Sequence, residues 1–372
     1  MDVYERLARF LDTLPAGFPR TADDADLRLL RHLFSPDEAE LAMTLTLLPE
    51  PARVVARRAK QPVDEIAPKL EEMARKGLIL SYHRPKAAPE YQAVHAVVGF
   101  WEFQVGRMDQ ELIDVAEAYI AQIEPEFWRN SAQLRTIPVG ESISADLEVM
   151  AYEQAEALVR DQRQIRVNPC ICRQEKEMVG EGCGKPVEAC LSFGDAVDYY
   201  ERLGVGRRID QEEALAILTQ AEEAGLILQP SLSQKAGFIC CCCGDCCGVL
   251  TVAKRHPRPA DILVSTFFAK VDPELCGACG DCEFRCQMEA IAVKEDYAVV
   301  DLARCIGCGL CVSGCPDEAV QLVRKPPEEQ PAIPRNSLSL YTDMLQRRGV
   351  ADKGDMLRWV VRSRVDRLLS RF

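Results

Sequence analysis

Apolar positions recur at helical spacing through the first hundred residues and then give way to short alternating runs. The opening MDVYERLARFLDTLP threads Asp2, Glu5, Arg6, Arg9 and Asp12 between apolar positions. That predicts an amphipathic helix and lacks the unbroken apolar core of a secretory leader. Ser35-Pro36-Asp37-Glu38 is a capping box with proline at the first helical position, opening SPDEAELAMTLTLL. ARVVARRAK follows the break at Pro49–Pro51. In VDEIAPKLEEMARKGLIL, Val63, Ile66, Leu70, Met73 and Leu78 mark one face of a helix that Gly77 stops. LILSYHR and YQAVHAV alternate around the turn-prone RPKAAPE and predict two strands, and Phe100 to Ile123 continues as a helix. IDQEEALAILTQAEEAGLIL later repeats the helix, glycine stop and apolar strand, with its own cap from Asp210 to Glu213.

These elements predict an α+β chain in four parts. A helical domain over 1–130 precedes a cysteine-rich, iron–sulfur-type helical domain over 131–255. A βαβ module follows over 256–325, then a Pro-rich linker and basic helical tail over 326–372. Helix, helix–turn–helix and two-stranded wing over about residues 20–100 resemble a winged-helix domain. Its recognition-position helix opens with Asp64 and Glu65 and carries Glu71 and Glu72 against Lys69, Arg75 and Lys76. Carboxylates there repel phosphates, although the preceding helix is more basic, with Arg53, Arg57, Arg58 and Lys60. A role in protein docking or in joining copies of the chain is therefore expected ahead of DNA binding.

Apolar residues at 48% and charged residues at 28% exclude a disordered chain. No apolar run approaches the ~20 residues of a membrane span, so a cytoplasmic protein is expected. The net charge of −13 speaks against collecting nucleic acid through its backbone. The tail departs from that balance, with nine basic residues against four aspartates from Arg335 onward. In GDMLRWVVRSRVDRLLSRF, Leu357, Val361, Val365, Leu368 and Phe372 form one apolar stripe. The expectation is a helix docked on the acidic body or on a partner; Trp359 with flanking arginines also suits peripheral contact with an anionic membrane.

The 18 cysteines carry the chemistry, none before Cys170 and none after Cys315. In a chain long enough to build its own core, clustered thiols read as metal ligands and not as disulfide staples. Cys276-x2-Cys279-x2-Cys282-x3-Cys286 is followed by Cys305-x2-Cys308-x2-Cys311-x3-Cys315-Pro316. Cys276 and Cys305, Cys286 and Cys315, and Glu289 and Glu318 are each 29 residues apart. This internal repeat resembles the bacterial two-cluster ferredoxins over about 60 residues. The resemblance implies two 4Fe-4S clusters, one on Cys276, Cys279, Cys282 and Cys315, the other on Cys305, Cys308, Cys311 and Cys286. Structural zinc commonly wants two CxxC pairs, which two runs of four fit poorly. Gly277, Gly280, Gly307 and Gly309 leave backbone amides near the sulfurs. IAVKEDYAVVD predicts a hairpin turning at 294–297. Gln287 replaces the family's usual proline and restores an N–H beside Cys286, which should raise that cluster's potential.

Ten further cysteines stand at irregular spacing: Cys170, Cys172, Cys183, Cys190, Cys240, Cys241, Cys242, Cys243, Cys246 and Cys247. In an extended run Cys240 and Cys242 share one face, and Cys241 and Cys243 the other. Gly244-Asp245 then offers a turn that brings Cys246 and Cys247 back. PCICR, GCGKPVEACLSFG and FICCCCGDCCG are similar to a motif set of uncharacterised iron–sulfur proteins of anaerobes, which join a winged-helix-like N-terminus to a ferredoxin module. That similarity implies one or more further iron–sulfur clusters, with Cys241 as the spare thiol. Zinc, or thiols buried as small hydrophobes, is the alternative. Arg173, Lys176 and Lys185 stand near these thiols and offset cluster charge, bind an acidic partner or simply form a solvated face.

His32, His83, His95 and His256 are scattered, and no phosphate loop, nucleotide fingerprint or Ser/His/Asp arrangement occurs. The expected function is relay of low-potential electrons to or from a partner oxidoreductase in anaerobic metabolism. The alternatives are a redox- or oxygen-sensing winged-helix regulator, and an enzyme subunit that binds substrate at an open iron.

Overall fold

In the computed structural model, which describes residues 1–370, local signals form as written. The Ser35 hydroxyl accepts the Glu38 N–H at 3.3 Å and the Glu38 carboxylate accepts the Ser35 N–H at 2.8 Å, opening the helix Pro36–Ala42. Asp210 caps Gln211–Glu223 through the Glu213 N–H at 2.8 Å. The repeated phrase also folds twice: Val63–Arg75 leads into β2 (Leu80–Tyr82), and Gln211–Glu223 leads into β8 (Ile227–Pro230).

The chain divides into two compact units. One comprises 1–123, 198–205 and the chain from residue 341; the other comprises 124–197 and 206–340. In the first, helices Val3–Asp12, Ala25–Leu33, Ala52–Ala59 and Val63–Arg75 join an antiparallel sheet. Its strand order is β1 (Glu50–Pro51), β3 (Glu90–Gln92), β2. Ile66, Leu70 and Met73 are fully buried, while Val63, at the first helical position, is exposed. The helix expected from Phe100 begins only at Gln110, because Asp109 caps it by accepting the Leu112 N–H at 2.8 Å. Phe100 and Phe103 enter the core from the irregular segment before it.

The tail forms the helix Lys353–Leu369 and packs by its polar side. Ser363 is buried, its hydroxyl donating to Glu50, and Asp366 receives both Arg57 and Arg58. Arg367 pairs with Glu90 at 2.8 Å. The predicted stripe faces outward, with Leu357, Val361, Val365 and Leu368 exposed. Ion pairs, not the stripe, dock this helix; Arg371 and Phe372 lie outside the described residues. No helix among the described residues is long and apolar enough to cross a membrane.

The second unit departs from the helical centre that the sequence predicts. A five-stranded antiparallel sheet runs β7 (Arg207–Ile209), β5 (Ile165–Pro169), β6 (Glu188–Phe193), β9 (Phe238–Cys242), β8. Thiols occupy positions in β6 and β9 where apolar side chains would have signalled strands. Beyond a short parallel pair, β4 (Arg135–Thr136) with β10 (Val264–Ser265), lies the cysteine repeat. There β11 (Phe267–Val271) pairs with β14 (Val320–Arg324), and β12 (Ile291–Lys294) with β13 (Tyr297–Val300). The second pair is the predicted hairpin, Lys294 opposite Tyr297.

Candidate metal centres

Each half of the repeat runs strand, cysteine loop, one-turn helix, strand. Gly280 and Gly309, 29 residues apart, adopt left-handed φ of 88° and 82° and open the helices Asp281–Arg285 and Leu310–Ser313. A side chain is disfavoured in that conformation, which gives these two glycines a structural reason. The bend turns Cys276, Cys279 and Cys282 toward one cavity, and Cys315 of the other half lines it too. Cys305, Cys308 and Cys311 line a second cavity together with Cys286. Each cavity is thus lined by three thiols of one run and the fourth of the other.

Backbone amides point at these sulfurs. The Ala269 N–H donates to Cys305 Sγ at 3.3 Å and the Ala298 N–H to Cys276 Sγ at 3.4 Å. Ala269 and Ala298 are 29 residues apart, as are the two cysteines. The Ala290 N–H reaches Cys286 Sγ at 3.2 Å, and Gly307 also donates to Cys305. Of the four glycines predicted as donors, Gly307 is seen in this role. The alanine donors belong to no motif; extending the repeat upstream of the cysteines would have found them. Burial pushes the Cys305, Cys308 and Cys311 thiols up, Cys308 to about 12. Such thiols become thiolates when a cation takes the proton's place. Four soft sulfur donors around one cavity, with N–H groups aimed at the sulfurs, fit a 4Fe-4S cluster.

The ten central cysteines sort into six, three and one. Sulfur contacts run Cys170–Cys172–Cys247–Cys242–Cys240–Cys190. Register explains part of this: Cys190 on β6 lies opposite Cys240 on β9, and Cys242 shares its face. Cys170 follows β5, Cys172 stands on the helix Ile171–Met178, and Cys247 precedes the helix Gly248–Lys254. Hydrogen bonds from Cys190 and Cys242 hold the Cys240 thiol well below its ordinary range; Cys172 and Cys242 do the same for Cys247. Cys241 sits on the opposite face across from Leu228, where burial pushes its thiol up to about 12. The expected partnership of Cys241 with Cys243 does not form, because β9 ends at Cys242 and the chain turns. Cys243 instead meets Cys183 and Cys246.

Arg173 is buried against these thiols, its Nη1 donating to the Cys241 carbonyl at 3.0 Å. Burial opposes its charge, but Cys170 and Cys243 outweigh that and raise its pKa. Lys176 turns away to Glu181 at 2.9 Å, and the Lys185 ammonium lies beside Gly225. Gln287 proves more than a missing proline. Its side-chain oxygen accepts the Gly244 N–H at 2.9 Å, joining the residue after Cys286 to the turn between Cys243 and Cys246.

A family model described as a 4Fe-4S binding domain matches residues 298–321, which hold Cys305, Cys308, Cys311 and Cys315. No curated protein and no solved structure matches the chain. Sulfur donors, amide contacts and this match together identify a 4Fe-4S module of the ferredoxin type within the chain.

Proposed function

We propose that the chain is a multi-cluster iron–sulfur protein that relays low-potential electrons to or from a partner oxidoreductase. The observation behind this reading is the exchange of Cys286 and Cys315 between the two cavities. Cys276, Cys279, Cys282 and Cys315 would hold one 4Fe-4S cluster, and Cys305, Cys308, Cys311 and Cys286 the other. When bound, such clusters supply one-electron carriers at potentials set by charge, amide–sulfur bonds and exposure. The six linked central thiols exceed the four that a further cluster needs, so the reading includes a third there.

One thiol lining the first cavity reaches a surface suited to a partner. Cys279 is exposed, and Phe284, two residues beyond Cys282, is 91% exposed between Glu283 and Arg285. Asp281, Glu283, Glu295 and Asp296 surround this region in sequence and favour a partner with a basic rim. The reading extends the similarity to iron–sulfur proteins of anaerobes over the whole chain, places it in the cytoplasm and takes the first unit as winged-helix-like. DNA recognition gains little support, since Arg57 and Arg58 are already engaged by Asp366 and Glu50.

The test is stopped-flow mixing of anaerobically reduced full-length protein with an oxidised low-potential ferredoxin. Visible absorption bleached on reduction should return as the acceptor is reduced. Protein that neither bleaches nor passes electrons contradicts the reading. Cluster-dependent binding to duplex DNA would favour the regulator instead.

A further inference from the structure

Cys183, Cys243 and Cys246 stand apart from the six linked central thiols and from the eight of the repeat. Among the described residues they are the one set of three metal-ligating side chains whose ligand atoms all lie within 4.8 Å of one another. Cys183 Sγ and Cys243 Sγ are 3.8 Å apart. Three sulfurs mutually this close, unlike the single close pairs along the six linked thiols, discriminate between centres. A tetrahedral ion with metal–sulfur bonds of about 2.3 Å holds its thiolates about 3.8 Å apart. A cubane carries its thiolates on the outside of a body of four irons and four sulfides, so they stand farther apart. In keeping with this, the eight repeat cysteines line cavities without any three meeting so closely. A disulfide needs sulfurs about 2.05 Å apart, and all three thiols are free.

The chain builds this site deliberately. After β9, the turn at Gly244-Asp245 folds Cys246 back beside Cys243, and the Cys247 N–H donates to the Cys243 carbonyl at 3.2 Å. Gly244 is packed so tightly that a Cβ would stand 2.2 Å from the Gln287 carbonyl oxygen, which pins the turn. Cys183 arrives from the remote Gly182-Cys183-Gly184 loop. A C-x2-C pair joined by a distant cysteine is a common zinc ligand pattern. A second feature borders the same place, between it and Cys170 of the six linked thiols. Arg173 is only 3% exposed, its Nη1 lies 4.0 Å from Cys243 Sγ, and its Nε and Nη2 have no hydrogen-bond partner. A buried guanidinium with unused donors suits a centre of net negative charge, as three thiolates around a divalent ion would be.

We propose that Cys183, Cys243 and Cys246 bind one mononuclear divalent ion of the zinc class in tetrahedral geometry. Solvent or an exchangeable ligand completes the fourth position, and Arg173 balances the charge. This site is separate from the iron–sulfur clusters of the functional reading and does not depend on them.

The test measures zinc and iron in the same anaerobically purified full-length protein, then replaces zinc with Co²⁺ and records the visible spectrum. About one zinc per chain is expected, with tetrahedral cobalt bands and sulfur-to-cobalt charge transfer. Cys183→Ser should cut zinc retention against a chromophoric chelator at least tenfold and leave iron unchanged. Cys183→His should keep the ion while weakening the charge-transfer band. Zinc retention unaltered by Cys183→Ser, or a loss of about four irons with it, overturns the proposal. An octahedral cobalt spectrum does the same. Should Cys183→Ser lose its far-UV circular dichroism, the Cys183→His spectrum decides: an unchanged charge-transfer band overturns the site. Iron content in the same samples reports separately on the electron-transfer reading.

Discussion

The two halves of the cysteine repeat share one spacing and differ in their exposure. Cys282 of the first half is buried like Cys305 and Cys311 of the second, but only the first half has an exposed thiol, Cys279, and Phe284 stands in solvent two residues beyond Cys282. The halves also differ by complement. Arg285 and Gly314 occupy the same repeat position, and Arg285 donates to the Leu310 carbonyl at 2.9 Å and the Glu222 carbonyl at 3.1 Å. A Cβ on Gly314 would stand 2.3 Å from Arg285 Cδ, so one half lacks a side chain where the other extends one. The repeat offers a set of four thiols twice, and the surroundings make the two sets unequal. Exposure is one of the levers on cluster potential, so a cluster held by each set would have its own potential.

The largest expected effect comes from removing a buried ligand. Cys311→Ser should cost about four irons per chain and lower the thermal midpoint several degrees more than Cys279→Ser does. Equal falls would break the contrast between buried and exposed halves. Next, a water-soluble iron chelator should strip the exposed site about tenfold faster than the buried one, since solvent access gates attack there. Electron paramagnetic resonance during chelation reads which signal disappears first, and simultaneous loss would count against the contrast.

A smaller effect tests the complement between halves. Gly314→Ala should destabilise the protein by about 1–3 kcal/mol through overpacking, with Arg285→Ala relieving part of that cost. Denaturant unfolding of both single variants and the double variant checks it, and strictly additive losses would refute the contact. Smallest, Gln287→Pro should lower the second site's potential by on the order of 50 mV, near 1 kcal/mol for one electron. Protein-film voltammetry showing no shift would remove Gln287 as a tuning residue.

What the sequence revealed was local and periodic. The caps at Ser35 and Asp210, the hairpin at 294–297 and the 29-residue repeat depend on neighbours or on recurrence, so they could be read directly. The central sheet was hidden because Cys190, Cys240 and Cys242 serve as strand residues while looking only like ligands. Division of the ten central thiols depends on where β9 ends and how Gly244 packs against Gln287, which no spacing rule contains. The tail misled in another way. Its apolar stripe forms on the helix, but the buried Ser363 and the half-buried Asp366 and Arg367 dock it through hydrogen bonds and ion pairs.

Anaerobic quantification of iron and acid-labile sulfide in the full chain, joined to resonance spectra across a redox titration, tests the account at its centre. The prediction is about eight irons and eight sulfides from the repeat, rising to about twelve of each with the six central thiols, and two unequal potentials within the repeat. Iron near four per chain, or zinc in place of iron at the repeat cysteines, would contradict it.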